Sequence, residues 1–481
     1  MVLFPAALGF VLLATSIFAA SRRSSTLNRL QQARASIGVI HHGEIIHIYN
    51  YGYSHSKTKS PTTSDTVYSI GSLTKSFITA AIAKLVDEGR LTWDTRVKDI
   101  LPEFHQEDPT VYELTTMTDI LSHRCGLAGL GAMNMAFQGD GDMLLPKDSL
   151  FKVFGRFPVL FPCRQSWSYF VWRYSLAGAI IETVTKKSVK EYLSETIFKP
   201  LGIDDTTFSP GSLELGKLAE PFAGLSDGIF EDTFFEASGG MYSSTNDMMA
   251  WASEMLRAIN GTSKELVRSS WVVKDVPSIL SDHAAIANPS ISDLGWVRTQ
   301  LPGVEIKDSP LLGSKDRSLL MIYHQGATVS YYSFIALFPE TDSAVVVLTN
   351  AISLSDTADW IARALIQDLF NFTDSRDYAA LTKEANKRAL GEFEQLSAEI
   401  NSLRAACLDS DLSPLTINSF TYELRYLCKS TFKWSLTHNE LKKRGRYNAA
   451  LTTFYLLEFE VHGDTSNPDL LKSVEVFKRD E

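Results

Sequence analysis

VYSIGSLTKSFITAAIAKLVDEGRLTWDTRVKDILPEF, residues 67–104, is the stretch that decides the fold. Between Leu73 and Gly89 its apolar residues recur at helical spacing with charged residues on the opposite face, which predicts an amphipathic helix. Gly89 is a typical helix stop. Ser72 comes directly before this helix and Lys75 follows three residues later, so both side chains are expected on one helical face.

A serine and a lysine in this arrangement can open an ester or an amide. The reaction needs a hydroxyl that loses its proton on attack and groups that stabilise the developing oxyanion. Burial of Lys75 would lower its pKa and let its amine act as the base. The tetrad Ser-x-x-Lys alone is weak evidence, because it occurs five times, starting at residues 54, 56, 72, 149 and 430. The alternative is that Ser72 is an ordinary helix N-cap.

Three segments in the same order resemble those of a known enzyme family. They are residues 67–104, LTTMTDILSHRCGL at 114–127 and EASGGMYSSTNDMMAWA at 236–252. The segments are similar to the nucleophile segment, the following histidine-glycine-leucine stretch and the glycine-pair segment of serine β-lactamases and penicillin-binding proteins. Within that family the resemblance is to class C β-lactamases, D-aminopeptidases, related esterases and fungal β-lactamase-related proteins, and it covers roughly residues 36–370.

The resemblance assigns Tyr169 to the family's Tyr-x-Asn motif, because residues 168–203 are similar to the neighbourhood of that motif. A tyrosine so placed in the family exchanges a proton with the nucleophile and the leaving group, helped by a nearby ammonium. The alternative is that Tyr169 merely packs among neighbouring aromatic residues. The asparagine position is Val171, which removes hydrogen bonds that relatives make to β-lactam or peptide substrates. This departure favours an ester or thioester with an apolar acyl group.

The third family motif, Lys-Thr-Gly or His-x-Gly, corresponds to His324-Gln325-Gly326 at the end of a predicted strand. The resemblance implies that His324 helps to position the substrate and that Gly326 lets the substrate lie against the strand edge. The backbone N–H of Ala327 would pair with that of Ser72 as the oxyanion hole. The alternative for His324 is a surface histidine at a strand end.

Residue patterns and the resemblance together predict an α+β fold, an α/β sandwich in which an antiparallel β-sheet is flanked by helices and carries an inserted helical domain. Alternating apolar residues predict a hairpin from Ser36 to Tyr53, and strands at 318–326, 331–338 and 344–350 precede a helix from Asp356 to Phe370. The expected domains are a catalytic domain with a helical subdomain, a polar connector and a small β-rich C-terminal appendage, at residues 31–375 (subdomain about 91–261), 376–409 and 410–481.

The first twenty residues are an uncharged apolar stretch followed by SRRSS, so residues 1–30 form a separate N-terminal segment. Its length suits a secretory signal peptide or a membrane anchor, and a buried N-terminus is the third alternative. Localisation is therefore left open between secretion, anchoring and the cytoplasm, and membrane contact requires that the segment be retained. The sequons at Asn260 and Asn371 fit glycosylation in the secretory pathway.

Composition restricts the remaining partners. The net charge of −10 is spread along the chain with no run of basic residues, which argues against nucleic-acid binding. The four cysteines lack the paired spacing of a zinc site, so neither a metal nor another cofactor is expected. A bridge between Cys407 and Cys428 and unpaired thiols are both compatible with the sequence.

These observations predict a serine hydrolase or acyltransferase that acts through an acyl-enzyme on Ser72. The expected substrate is an ester, thioester or amide of a small molecule, and specialised metabolism is one setting that the resemblance implies. Lys75 and Tyr169 would transfer protons, and water or an alcohol would attack the acyl-enzyme and release the acyl group. Two alternatives stay open: a catalytically inactive binding protein of the same fold, and a protein in which Ser72 is only structural.

Overall fold

The computed structural model describes most of the first 372 residues and five strands near the C-terminus. The described ranges are 35–55, 58–127, 147–220, 230–263, 291–293, 295–302, 312–328, 331–350 and 357–372, scattered residues between 377 and 391, and strands between 413 and 477. The N-terminal apolar segment, Cys407 and most of the connector lie outside these residues. No helix among the described residues is long and apolar enough to cross a membrane.

A seven-stranded antiparallel sheet forms the centre of the catalytic region, with strand order β2-β1-β9-β8-β7-β6-β5. The strands are β1 (Ala35–His41), β2 (Glu44–Tyr51), β5 (Ile291–Asp293), β6 (Trp296–Leu301), β7 (Leu319–Ala327), β8 (Tyr332–Phe338) and β9 (Ser343–Thr349). The predicted hairpin and the three later strands are confirmed within one or two residues. Strands β5 and β6 were not predicted.

Helices cover both faces of the sheet because its central strands are apolar on both sides. In β9, Val346 and Leu348 pack into one hydrophobic cluster, whereas Val345 and Val347 pack into the other. Helix α10 (Thr245–Ile259) contacts β1 and β9, and helix α11 (Thr357–Leu369) contacts β8 and β9. The predicted antiparallel sheet flanked by helices is therefore confirmed.

The described residues between β2 and α10 form helices joined by loops, the pattern predicted for residues from about 91 to 261. The helices are α1 (Thr74–Asp87), α2 (Val97–Ile100), α3 (Pro109–Leu114), α4 (Met117–Leu121), α5 (Leu150–Phe154), α6 (Trp172–Thr185), α7 (Val189–Leu193), α8 (Lys199–Leu201) and α9 (Glu236–Gly239). Two short strands, β3 (Val67–Ser69) and β4 (Tyr242–Ser244), pair with each other and were not predicted. Their pairing holds the segment before Ser72 close to the segment after α9.

Residues 413–477 contain a second antiparallel sheet of five strands in sequential order. Its strands are β10 (Ser413–Ile417), β11 (Phe420–Cys428), β12 (Thr431–Trp434), β13 (Leu456–His462) and β14 (Ser473–Phe477). Strands β11, β12 and β13 overlap the segments FTYELRYLC, FKWSLTH and TTFYLLEFEV, whose alternation predicts short strands, and β10 and β14 are additional. The C-terminal part is therefore β-rich, as the alternation of its residues indicates.

Candidate active site

Ser72 lies in a short 3₁₀ turn, Gly71–Leu73, between β3 and α1. Gly71 has a φ of +50°, a backbone conformation that favours glycine and turns the chain sharply before the helix. The N-cap residue of α1 is Leu73, and no side chain caps this helix end. The Ser72 hydroxyl is thus not used as a helix cap, which counts against the structural alternative for this serine.

The Lys75 side chain is fully buried and points back to Ser72. Its Nζ lies 2.9 Å from Ser72 Oγ and also donates a hydrogen bond to the backbone carbonyl of Ser238. Desolvation by burial lowers the pKa of Lys75 to about 7, because the charged form loses its water. A large fraction of Lys75 is therefore a neutral amine near pH 7, which can accept the proton of the Ser72 hydroxyl.

Tyr169 approaches the same hydroxyl from the other side. Its phenol oxygen lies 2.8 Å from Ser72 Oγ, and its ring centroid lies 5.2 Å from Lys75 Nζ. Burial raises the pKa of Tyr169 well above its ordinary value, and the hydrogen bond to Ser72 opposes this only partly. Tyr169 is therefore a neutral phenol that donates to Ser72, and Lys75 is the better resting base.

His123 and Arg173 hold the segment that carries Tyr169. The His123 carbonyl accepts a hydrogen bond from the Ser168 N–H, and its Nδ1 accepts one from the Phe170 N–H at 3.2 Å. The His123 ring lies against Tyr169 with centroids 4.6 Å apart. Arg173, which is also buried, donates from Nη1 to the Ser168 carbonyl at 2.8 Å. Both neighbours of Tyr169 are thus fixed by buried polar contacts.

The edge of β7 closes the site opposite the helices. A Cβ atom added to Gly326 would lie 2.0 Å from the Ile70 carbonyl oxygen and 2.2 Å from Ser333 Oγ. A Cβ atom added to Gly71 would lie 2.7 Å from the Ala327 amide nitrogen. The crowding that requires glycine at 326 comes from Ile70 and Ser333. The same close approach brings the Ala327 backbone against the turn that holds Ser72.

His324 lies on β7 beside the tyrosine and is buried, so it is not a surface histidine. Its Nδ1 is 2.6 Å from the carbonyl oxygen of Gln325, and because a carbonyl can only accept, Nδ1 carries the proton. Burial is the main cause that lowers the pKa of His324 to about 4. At neutral pH this ring is uncharged, and its Nε2 is an acceptor.

Val171 and Trp167 flank Tyr169 along the chain and give its surroundings an apolar character. Val171 is buried at the start of α6 and offers no polar group where the family motif has asparagine. Trp167 is 44% exposed, and its ring centroid lies 6.3 Å from that of Tyr169. The described residues contain no group of three or more metal-binding side chains.

The structure brings together all six residues that the sequence analysis assigned to the site. Ser72, Lys75 and Tyr169 are in hydrogen-bonding distance, His324 lies beside the tyrosine with ring centroids 6.4 Å apart, and Gly326 and Ala327 approach the nucleophile turn. The sequence analysis missed the Ser238 carbonyl, His123 and Arg173. All three residues lie in segments that carried the family resemblance, but no sequence pattern singled them out.

This fold and this trio of side chains define the class of serine β-lactamases and penicillin-binding proteins. The chain belongs to the β-lactamase family, since the family model Beta-lactamase matches residues 26–368. It is 27% identical to Protein flp of Staphylococcus aureus (strain MW2) over 321 residues. These residues make up 66% of this chain and 59% of that protein. It is 32% identical to Penicillin-binding protein 4 of Amycolatopsis lactamdurans over 178 residues, 37% of this chain and 45% of that protein.

Two solved structures share the fold at 20% sequence identity. The octameric penicillin-binding protein homologue from Pyrococcus abyssi superposes with a TM-score of 0.57 and covers 94% of this chain and 96% of its own. The class C β-lactamase from Rhodobacter sphaeroides superposes with a TM-score of 0.53 and covers 74% of this chain and 99% of its own. Both similarities support the predicted β-lactamase fold.

Proposed function

We propose that this protein is a serine hydrolase or acyltransferase that forms an acyl-enzyme on Ser72 from an ester, thioester or amide of a small molecule. The observation that carries the proposal is the position of Ser72 Oγ, 2.9 Å from Lys75 Nζ and 2.8 Å from the Tyr169 hydroxyl. Membership of the β-lactamase family supports the same kind of mechanism. A nucleophile, a base and a proton donor are thus present around one oxygen atom.

In the acylation step, the neutral amine of Lys75 takes the proton of Ser72 as Oγ attacks the carbonyl carbon. The carbonyl oxygen becomes an oxyanion, which the backbone N–H groups of Ser72 and Ala327 would stabilise. The oxyanion then re-forms the carbonyl as the bond between its carbon and the leaving oxygen, sulfur or nitrogen breaks. The leaving atom takes a proton from Tyr169, which recovers one from the Lys75 ammonium. The products are an ester on Ser72, a protonated leaving group and a neutral Lys75.

In the second step, water or an alcohol attacks the ester on Ser72, and the same groups return the proton to Oγ. Water gives a free acid and an alcohol gives a new ester. An assay that offers both acceptors separates hydrolysis from transfer, because acylated alcohol as the sole product would identify an acyltransferase.

The polar groups that the site lacks guide the choice of substrate. Val171 cannot hydrogen-bond the amide side chain of a peptide or β-lactam, and His324 is neutral and can only accept through Nε2. The oxygen atoms of a substrate carboxylate or amide bound there would lose hydrogen bonds to water without replacing them, because neither Val171 nor the His324 Nε2 can donate. An uncharged ester or thioester with an apolar acyl group avoids this cost and is the substrate class that we propose.

The ionisation of Lys75 predicts the pH dependence. Since the amine must be neutral to act as a base and its pKa is about 7, kcat/KM for an uncharged ester should rise about tenfold per pH unit below pH 7 and level off above it. The measurement is the rate of p-nitrophenyl ester hydrolysis, corrected for the spontaneous reaction. The range to measure is about pH 5 to pH 9, which spans about two units on each side of that pKa. A rate that stays constant over this range would exclude Lys75 as the base.

Covalent trapping tests the proposed function directly. The full chain is incubated with a fluorophosphonate and with a panel of esters, thioesters and β-lactams, and the adducts are located by mass spectrometry. A stoichiometric adduct on Ser72 is the expected result, and its mass reports the preferred acyl group. Folded protein without any label on Ser72 would instead support the alternative of a catalytically inactive binding protein.

The residue at position 171 is expected to set the preference for esters over amides. Val171→Asn should raise the ratio of β-lactam to ester hydrolysis about fivefold, because one restored hydrogen bond is worth roughly 1 kcal/mol. Val171→Ala is the matched control, since it shortens the side chain without adding an amide. If Val171→Asn folds, as judged by circular dichroism, and the ratio is unchanged, residue 171 does not determine the preference for esters over amides.

A further inference from the structure

A cavity of about 120 Å³ lies between helices α5, α6 and α7 and the short helix α9. Its wall is mostly apolar and includes Leu150, Phe151, Ala179, Val189 and Phe234. Apolar cavities of roughly 150 Å³ in other proteins stay dry and accept benzene. The space is therefore suited to one small ring or a short branched chain.

Three charged side chains also line this cavity. Lys147 and Glu182 form an ion pair of 2.9 Å, and their side chains are 47% and 28% exposed, so solvent reaches this side of the cavity. Glu236 is only 7% exposed, and no ion pair to it is found in the part of the chain that the structure describes. The backbone of Asp232 provides a hydrogen bond to the Glu236 carboxyl. Glu236 is thus a buried carboxyl group that faces an apolar space.

The charge balance at the cavity favours a cation. The cavity has two carboxyl groups, those of Glu182 and Glu236, and one ammonium group, that of Lys147. Lys147 already pairs with Glu182, and Asp232 adds a further negative charge nearby. Burial raises the pKa of Glu236 to about 7, with Asp232 and Glu182 adding to the effect and Lys147 opposing it. A cation placed against this carboxyl group would stabilise its ionised form and replace lost hydration.

We propose that this cavity binds a small organic ammonium ion, a primary amine whose apolar part is about the size of a benzene ring, with the ammonium against Glu236. The site is separate from the Ser72 hydroxyl but close to the machinery around it. Glu236 is two residues from Ser238, whose carbonyl accepts a hydrogen bond from Lys75. Ser175 both lines the cavity and lies with its Oγ 3.4 Å from Ser238 Oγ.

Calorimetric titration of the full chain with benzylamine tests the proposal. Benzylamine should bind at one site, whereas toluene and phenylacetate should bind at least tenfold more weakly. Because the carboxylate form of Glu236 is needed, affinity should rise about tenfold per pH unit below pH 7 and then level off. Ser72→Ala should bind benzylamine as the wild type does, so the test does not depend on the proposed enzymatic activity.

Variants identify the anchoring group. Glu236→Gln should weaken benzylamine at least tenfold and remove the pH dependence, and Glu107→Gln, an exposed acid paired with Arg156, should bind normally. Ala179→Leu should block binding by filling the cavity while Glu236 is retained. This variant tests the same cavity if Glu236→Gln does not fold. Equal binding of toluene, preferred binding of phenylacetate through Lys147, or no binding at all would each overturn the proposal.

Discussion

Ser72→Ala is expected to lower kcat/KM for any ester that the protein cleaves by about 10⁴-fold or more, because the covalent route disappears with its nucleophile. Ser72 Oγ is the atom on which the hydrogen bonds from Lys75 and Tyr169 converge. The measurement is steady-state hydrolysis of p-nitrophenyl esters together with fluorophosphonate labelling. Both should fall to the level of the blank in the variant.

Ser149→Ala is the matched control for this experiment. Ser149 begins another Ser-x-x-Lys tetrad and also lies just before a helix, α5. Its removal should leave turnover unchanged. Undiminished activity in Ser72→Ala would remove the basis of the proposed function and leave only the fold-level similarity. The double variant Ser72→Ala/Lys75→Ala should be no slower than Ser72→Ala, since the two residues act as a unit.

Lys75→Met is expected to abolish turnover. The same substitution should raise the free energy of unfolding at neutral pH. The pKa of Lys75 is about 7 in the folded protein against an ordinary value of 10.5, so between these values the unfolded chain holds a proton that the folded chain lacks. Folding the wild type therefore becomes less favourable as pH falls from 10.5 to 7, by about 1.4 kcal/mol per pH unit. Methionine removes this cost because it never ionises.

Urea unfolding of both proteins across this pH range is the measurement. The free energy of unfolding of Lys75→Met minus that of wild type should grow as pH falls from about 10 to about 7 and then stay constant. A constant offset is also expected, since the Ser238 carbonyl loses its donor, but it does not affect the slope. Lys84→Met, on the same helix, controls for the loss of a lysine as such. A difference that does not vary with pH would contradict the burial of a neutral amine at residue 75.

The parts of the fold that the sequence predicted are those with strong local patterns. Strands β8 and β9 are nearly continuous apolar runs, and helix α1 shows a clear change of period after Ser72. Strands β5 and β6 were missed, and WVRTQL in β6 shows why: its mixed polar and apolar residues follow neither period clearly. A segment of this kind becomes a strand through pairing with its neighbours, here β5 and β7.

The candidate site was predictable where side-chain type and order carry the information. Ser72, Lys75 and Tyr169 could be named from motifs, and the structure places them within hydrogen-bonding distance. The Ser238 carbonyl that holds Lys75 could not be named, because every residue has a backbone carbonyl. Arg173 could not be named either, since an arginine is expected at the surface and its burial depends on the packing of distant segments.

The contact between β7 and the nucleophile turn has a consequence for laboratory evolution of this scaffold. Because any side chain at residue 71 or 326 would push the Ala327 or Ile70 backbone away, these two glycines have almost no mutational tolerance. Mutant libraries that aim at new acyl groups should therefore keep both glycines. They should randomise residues 167 and 171 beside Tyr169, because changes there leave the distance between Ser72 and β7 unaltered.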